Sequence, residues 1–193
     1  MYKGIKVGLD IVMSMCLIII LLIPMLVIAL LVKTTSKGPV LFKQERYGIN
    51  SKKFTIYKFR TMYIETPELS NQEFRDIENF VTPIGKVLRK FSLDELPQLF
   101  NIIMGNMSFI GPRPLAESDV SVVEMRKLSG ADRIKPGITG LAQVNGRNNI
   151  LDSQKAYFDK IYVENISFLS DLKIFIGTLL NVTFAKNINR TKR

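Results

Sequence analysis

Apolar positions follow three different patterns along the chain, and each pattern predicts a different kind of element. The first is a run at residues 11–32 without any charged side chain. As a helix this run would measure roughly 33 Å at about 1.5 Å per residue. That length is enough to cross the apolar core of a bilayer, so the run predicts a membrane helix near the N-terminus.

Two features of this run bear on how the helix lies in the membrane. Pro24 falls inside it, where a proline removes a backbone donor and clashes with the preceding turn. Positive residues favour the cytoplasmic face, and lysines flank the run on both sides: Lys3, Lys6, Lys33, Lys37 and Lys43. We therefore predict a helix broken at Pro24 with both ends on one side. A single-pass anchor is the alternative, because membrane helices tolerate proline.

The second pattern is strand-like and occupies two short segments around a turn. Residues 40–46 and 52–61 have the composition of strands, and the turn residues at 48–51 between them predict a β-hairpin. In an extended strand Lys58 and Arg60 point to the same face. Taken alone, this pair is most simply interpreted as two cations on a solvated edge strand.

The third pattern is helical. Thr82 as cap and Pro83 at the first helical position open a short helix, and residues 96–107 form a second amphipathic stretch. Residues 161–185 read as one or two helices, whose apolar part is too short to span a bilayer and is expected at its interface.

Together the three patterns predict an α+β fold in two parts. Residues 1–37 form the membrane helix, re-entrant and broken at the proline, with its exit turn. Residues 38–193 form a small helix-rich domain with a β-hairpin and interfacial amphipathic helices.

Composition narrows the chemistry that this fold can support. The 193 residues include no histidine and one cysteine, Cys16, which lies in the apolar run. Histidine-dependent nucleophiles, histidine metal sites and disulfides are therefore excluded, which leaves carboxylates, lysine, arginine and tyrosine. The formal net charge of +10 indicates an anionic partner such as phosphate, anionic lipid or nucleic acid.

Two adjacent carboxylates, Asp94 and Glu95, stand before an apolar helix. They are candidates for catalysis, or alternatively for stabilising the helix dipole. A capping box headed by Ser92 is a further alternative, but Pro97 would then fall inside the helix and delete a needed donor. A helix start near Asp94 avoids this conflict.

Two basic segments follow the carboxylates. Arg113 lies between two prolines, on a stiff turn that presents a planar guanidinium suited to phosphate, or to any nearby acid. The segment at residues 133–148 interleaves glycines with basic residues, including Arg147, and matches neither a dinucleotide-binding nor a Walker pattern.

Taken in order, these segments resemble the small monotopic bacterial sugar transferases, the PglC-like phosphoglycosyl transferase family. The resemblance covers nearly the whole chain. After the apolar run its landmarks are Lys58-Phe59-Arg60-Thr61-Met62, Leu88-Arg89, residues 92–98, Gly111-Pro112-Arg113-Pro114 and residues 135–147. The resemblance implies a helix that re-enters the cytoplasmic face of the bacterial inner membrane, bent here at Pro24. Ile23 departs from the family, in which a serine commonly precedes that proline.

The resemblance also implies an activity and roles for the candidate residues. The family moves a sugar 1-phosphate from a UDP-sugar to undecaprenyl (polyprenyl) phosphate and releases UMP, the first membrane step of glycan assembly. Asp94 would be the nucleophile, forming an aspartyl phosphosugar, and Glu95 would assist. Both carboxylates would hold Mg²⁺. The candidate phosphate-binding cations are Lys58, Arg60, Arg89, Arg113 and Arg147.

The expected partners are a UDP-sugar, polyprenyl phosphate and membrane lipid, and a homodimer is left open. Nucleic acid is not expected, because no groove-reading motif is present. The alternative function is that of a non-enzymatic basic membrane protein that binds anionic lipid or a partner complex.

Overall fold

The computed structural model describes residues 2–66, 77–146 and 150–183, and shows the predicted α-rich α+β fold. The helices are α1 (Tyr2–Thr35), α2 (Pro83–Lys90), α3 (Gln98–Ile103), α4 (Val120–Ser129), α5 (Leu141–Asn145), α6 (Asp152–Glu164) and α7 (Phe168–Thr183). The strands are β1 (Leu41–Tyr47), β2 (Lys53–Phe59), β3 (Ser108–Ile110) and β4 (Gly137–Thr139).

Within the described residues, α1 is the one helix long and apolar enough to cross a membrane. Its 34 residues make it about 50 Å long. Most of its large apolar side chains are exposed, among them Ile19 and Ile23 at 75%. Because water is a poor solvent for so much apolar surface, this helix associates the protein with a membrane.

Helix α1 continues through Pro24 without ending there. The predicted break at this proline is therefore not confirmed. A proline removes one backbone hydrogen bond, but side chains before and after it hold the two halves of the helix on one surface. Leu21 and Met25 both pack on the core cluster that contains Phe59 and Leu88, and this packing offsets the lost bond.

Contacts with the rest of the chain run along the whole of α1. Near its start, Lys6 forms an ion pair with Asp171 of α7 at 2.7 Å, and Asp10 accepts a hydrogen bond from Ser108 of β3 at 2.6 Å. Near its end, Val32 is completely buried. Its middle packs on β2 and α3 through Leu17, Ile18 and Leu21. The domain boundary that we predict at residue 37 thus separates two parts that share a core.

Strands β1 and β2 form the predicted antiparallel hairpin, with Tyr47 opposite Lys53 beside the turn. The same end of β1 forms an isolated bridge to Leu115, whose carbonyl accepts a hydrogen bond from the Tyr47 N–H at 2.9 Å. This bridge places the proline-flanked turn of Arg113 beside the end of β1.

The outer edge of β2 is covered by α3. Asn101, completely buried, accepts a hydrogen bond from the Tyr57 N–H at 3.1 Å and donates one to the Thr55 carbonyl at 2.7 Å. These two bonds occupy backbone groups that a third strand would otherwise use. The sheet therefore stops at two strands, and α3 is fixed beside Lys58.

The short parallel strands β3 and β4 pack with α6 and α7 around a second core, made of Ile110, Tyr162 and Ile174. Helix α7 is amphipathic, as predicted for this part of the chain. Its exposed apolar side chains are Phe168, Leu169, Leu172, Phe175, Ile176, Leu179 and Leu180.

Candidate active site

Asp94 and Glu95 lie on a sharp turn between α2 and α3. Helix α2 begins as predicted: the Thr82 hydroxyl oxygen accepts a hydrogen bond from the Gly85 N–H at 3.0 Å, and a proline takes the first position. After α2, Ser92 adopts a left-handed conformation with φ of 56°, and one turn of 3₁₀-helix follows at Leu93–Glu95. The change of direction at Ser92 sets the position of both carboxylates.

Neither helix-capping alternative for this pair holds. The Ser92 side chain makes no capping hydrogen bond, so the capping box is absent. Helix α3 begins at Gln98 rather than near Asp94, with Pro97 at its N-cap position. The positive φ of Ser92 costs on the order of 1–2 kcal/mol. Strain of this size beside two carboxylates is typical of a functional site.

Lys58 of β2 is held against one of these carboxylates. Its Nζ donates to Glu95 Oε1 at 2.7 Å, and both side chains are 19% exposed. The pair joins the hairpin to the turn between α2 and α3. The structure thus places Lys58 beside the acidic pair, while its phosphate-binding role stays a prediction.

Asp94 is partly buried within a set of interacting charges. Burial raises the pKa of its carboxyl, and the neighbouring Glu95 raises it further, whereas Lys58 and Arg89 act in the opposite direction. Arg89 is oriented by a 2.9 Å hydrogen bond from its Nε to Thr61 Oγ1. The structure thus brings together four of the predicted residues.

Arg113 is held on its turn by an ion pair that the sequence did not reveal. Its carbonyl accepts a hydrogen bond from Arg126 at 2.8 Å, and Arg126 is ion-paired with Asp159 of α6 at 2.6 Å. Both partners are buried, at 6% and 1% exposure. Because the two lie 33 residues apart on amphipathic helices, no local motif marks them.

Arg46 of β1 is a second residue near the site that no sequence motif marked. Burial lowers its pKa to about 10, the like charge of Arg113 lowers it as well, and Asp119 and Glu95 act in the opposite direction. Arg46 therefore lies within the electrostatic reach of both Arg113 and Glu95. The proline-flanked turn and the acidic pair thus both influence the charge of Arg46.

Arg60, another of the predicted cations, contacts the chain just past the C-terminus of α1. Its guanidinium donates to the carbonyl of Lys37 at 2.6 Å and to both the carbonyl and the hydroxyl of Ser36 at 2.8 Å. It thereby satisfies carbonyl groups just past the C-terminus of α1. Because β2 ends at Phe59, the period of two does not extend to Arg60. Arg147 lies outside the described residues.

The acidic pair suits a magnesium ion only in combination with a substrate. Across the three described stretches, no group of three or more potential metal-ligating side chains occurs. Mg²⁺ usually takes one or two carboxylates and completes its shell with water and substrate phosphates. Two adjacent carboxylates fit that demand, and a cation would relieve the repulsion by which Glu95 raises the pKa of Asp94.

The fold and the site define a membrane-associated protein whose charged residues are suited to phosphate groups. The sequence model for bacterial sugar transferases matches residues 1–185, and the chain belongs to this family.

Three relatives illustrate the match. The uncharacterized sugar transferase EpsL of Bacillus subtilis is 44% identical over 154 residues, 80% of this chain and 75% of that protein. The exopolysaccharide production protein ExoY of Rhizobium meliloti is 38% identical over 176 residues, 83% of this chain and 77% of that protein. The UDP-glucose:undecaprenyl-phosphate glucose-1-phosphate transferase of Klebsiella pneumoniae is 41% identical over 179 residues, 88% of this chain but 38% of that longer protein.

Proposed function

We propose that this protein transfers a sugar 1-phosphate from a UDP-sugar to undecaprenyl (polyprenyl) phosphate, with release of UMP. The observation that carries the proposal is the partly buried Asp94 carboxylate among Glu95, Lys58 and Arg89, in a chain of the bacterial sugar transferase family. A non-enzymatic protein that gathers anionic lipid has no use for a partly buried acidic pair on a strained turn, which disfavours that alternative.

The first chemical step is a displacement at the β-phosphorus of the donor. One oxygen of the Asp94 carboxylate forms a bond to this phosphorus, and the bond to the oxygen that bridges the two phosphates breaks. UMP leaves with the bridging oxygen and its electron pair, and the sugar phosphate stays on Asp94 as an acyl phosphate. A carboxylate needs no base to remove a proton, which suits a chain without histidine.

The second step transfers the group to the lipid. A phosphate oxygen of the polyprenyl phosphate forms a bond to the same phosphorus, and the bond to the Asp94 oxygen breaks. The products are a polyprenyl diphosphate sugar and the regenerated carboxylate. Two displacements at one phosphorus allow the donor and the lipid to react in turn at a single carboxylate.

The cations around Asp94 favour its charged form, in opposition to burial, and offset the charge of the phosphates. Lys58 and Arg89 both lower the pKa of Asp94, against the effect of burial. Lys58 also holds Glu95, and the hydrogen bond to Thr61 orients Arg89. Mg²⁺ held by Asp94 and Glu95 would neutralise phosphate oxygens that otherwise repel the attacking carboxylate.

The proposed activity is tested with the full chain in lipid nanodiscs. A panel of UDP-sugars is supplied with undecaprenyl phosphate, and UMP and the glycolipid are measured. We expect UMP and the lipid product in equal amounts with at least one donor. Absence of UMP with every donor would contradict the proposal.

A substitution of Lys58 tests how the site controls its nucleophile. Asp94 must be ionised to attack, so activity is lost as the pH falls through its pKa, which burial has already raised. Because Lys58 lowers this pKa, Lys58→Met should move the acidic limb of kcat/KM to higher pH. The measurement is kcat/KM for the donor between pH 4 and pH 9.

Lys53→Met is the matched control, since Lys53 is a half-exposed lysine of the same strand that pairs with Glu117 instead. It should leave the acidic limb in place. An unchanged limb in Lys58→Met would show that Lys58 does not act on the nucleophile.

We also propose that α1 enters and leaves the membrane on one face, with the catalytic domain at the cytoplasmic face of the bacterial inner membrane. The support is that both ends of α1 contact the same domain, through Lys6 with Asp171 and through Ser36 with Arg60. A helix crossing the bilayer would carry one end some 30 Å away from that domain.

This topology predicts that both ends of α1 react together with a membrane-impermeant thiol reagent. Lys3→Cys and Lys37→Cys are each placed in a Cys16→Ser background and labelled in intact cells and in inverted vesicles. We expect both positions to be protected in cells and labelled in inverted vesicles. Labelling of the two positions from opposite sides would contradict the proposal.

A further inference from the structure

Arg46 is a half-buried cation without an ion-pair partner among the described residues. Its side chain donates one hydrogen bond, to the Gln44 amide oxygen of the same strand. Its Nε is fully buried and makes no hydrogen bond within the described chain. Buried guanidinium groups are normally paired with an acid, because removing the charge from water is costly. Arg46 therefore has donors that the described residues do not use.

The charged residues around Arg46 do not supply acceptors for these unused donors. Besides burial, the like charge of Arg113 lowers the pKa of Arg46, and the opposite charges of Asp119 and Glu95 raise it. Both acids already have partners: Asp119 Oδ2 accepts the Ala116 N–H at 2.8 Å, and Glu95 is paired with Lys58 at 2.7 Å. The two guanidinium groups thus share a region in which the carboxylates are engaged elsewhere.

Backbone contacts hold together the two segments that carry these cations. The bridge between Tyr47 and Leu115 ties the end of β1 to the residue that follows the proline-flanked turn. On the other side of that turn, the buried Arg126 holds the Arg113 carbonyl at 2.8 Å. These contacts hold the two backbone segments that carry Arg46 and Arg113 next to each other.

We propose that Arg46 and Arg113 together bind a phosphate group of the substrate. This inference rests on the proposed transferase function and deepens it, since Arg46 has no role in the chemistry described above. A phosphate oxyanion can accept hydrogen bonds from guanidinium N–H groups of Arg46 that the described residues leave unused, and it neutralises the repulsion within the pair. The group is either the diphosphate of the nucleotide donor or the phosphate of the polyprenyl acceptor.

The first test measures binding to the full chain in nanodiscs. UDP and a short-chain polyprenyl phosphate are titrated separately into the wild-type protein, Arg46→Gln and the control Lys52→Gln. Lys52 is an exposed cation near the same hairpin turn. We expect Arg46→Gln to weaken at least one of the two ligands tenfold or more and Lys52→Gln to weaken neither. The ligand affected identifies the phosphate that the pair holds.

The second test separates ligand binding from a structural role. Without ligand, Arg46→Gln should unfold at the same temperature as the wild-type protein or higher, because it removes repulsion with Arg113. Added guanidinium ions should restore ligand binding to Arg46→Ala. Unchanged affinity for both ligands, or a lower unfolding temperature together with no rescue by guanidinium, would overturn the inference.

The two proposals fail in distinguishable ways. A wild-type protein that binds UDP through Arg46 but releases no UMP from any donor would refute the transferase function and support the anion-binding pair. A wild-type protein with full turnover whose Arg46→Gln variant binds both ligands normally would support the function and refute the pair.

Discussion

Replacement of Asp94 by asparagine is expected to abolish turnover and also the release of UMP from the donor in the absence of any acceptor. The amide has almost the shape of the carboxylate but cannot form the acyl phosphate. The expected signature in the wild-type protein is a peptide containing Asp94 that gains the mass of a phosphosugar when the donor is supplied alone. Asp94→Asn should lack this adduct, and mass spectrometry of the trapped protein measures both.

The same substitution is expected to leave the fold intact. Burial raises the pKa of Asp94, which means that its ionised form is disfavoured in the folded protein. A raised carboxyl pKa lowers stability as the pH rises through it, so the neutral amide should match or exceed the wild-type protein in thermal stability at neutral pH.

Asp152→Asn is the matched control, because Asp152 is a partly exposed aspartate on α6 that pairs with Lys155. It should retain full activity. Product formation by Asp94→Asn at the normal rate would remove Asp94 from the role of nucleophile.

Replacement of Arg113 by alanine is expected to reduce kcat/KM by tens- to thousands-fold. Losing one charge partner in a partly desolvated site costs on the order of 2–5 kcal/mol. The loss should be large because two prolines and the hydrogen bond from Arg126 to the Arg113 carbonyl fix the backbone from which this guanidinium extends. Steady-state kinetics with the donor and the acceptor varied in turn provide the measurement.

Arg133→Ala serves as the control, since Arg133 is an exposed arginine of the neighbouring basic segment. Its activity should stay within a factor of two or three of the wild-type value. Equal losses in Arg113→Ala and Arg133→Ala would indicate a general effect of surface charge, and Arg113 would then have no specific role at the site.

The elements that depend on neighbouring residues could be predicted from the sequence. The length of the apolar run predicted α1, the turn residues at 48–51 predicted the hairpin, and Thr82 with Pro83 marked the start of α2. In each case a few adjacent side chains determine the backbone, whatever lies further along the chain.

Features that depend on distant contacts could not be predicted in this way. The ion pair of Arg126 with Asp159 and the proximity of Arg46 to Arg113 arise only when separate elements pack together. The contacts of Arg60 could not be predicted for the same reason, because its partners are carbonyl groups at the end of α1, more than 20 residues earlier. A charged residue in a strand gives no local sign of which distant group it meets.

The hydrogen bonds of Arg60 form part of a chain of contacts from the membrane helix to the acidic pair. Arg60 donates a hydrogen bond to the Ser36 carbonyl, just past the end of α1. In sequence only Phe59 separates Arg60 from Lys58, and Lys58 is ion-paired with Glu95. A thicker or thinner bilayer changes the tilt or depth of an embedded helix at modest cost. We expect such a shift of α1 to pull on the strand that carries Lys58, so that the acyl-chain length of the surrounding lipids would affect the position of Asp94 and Glu95.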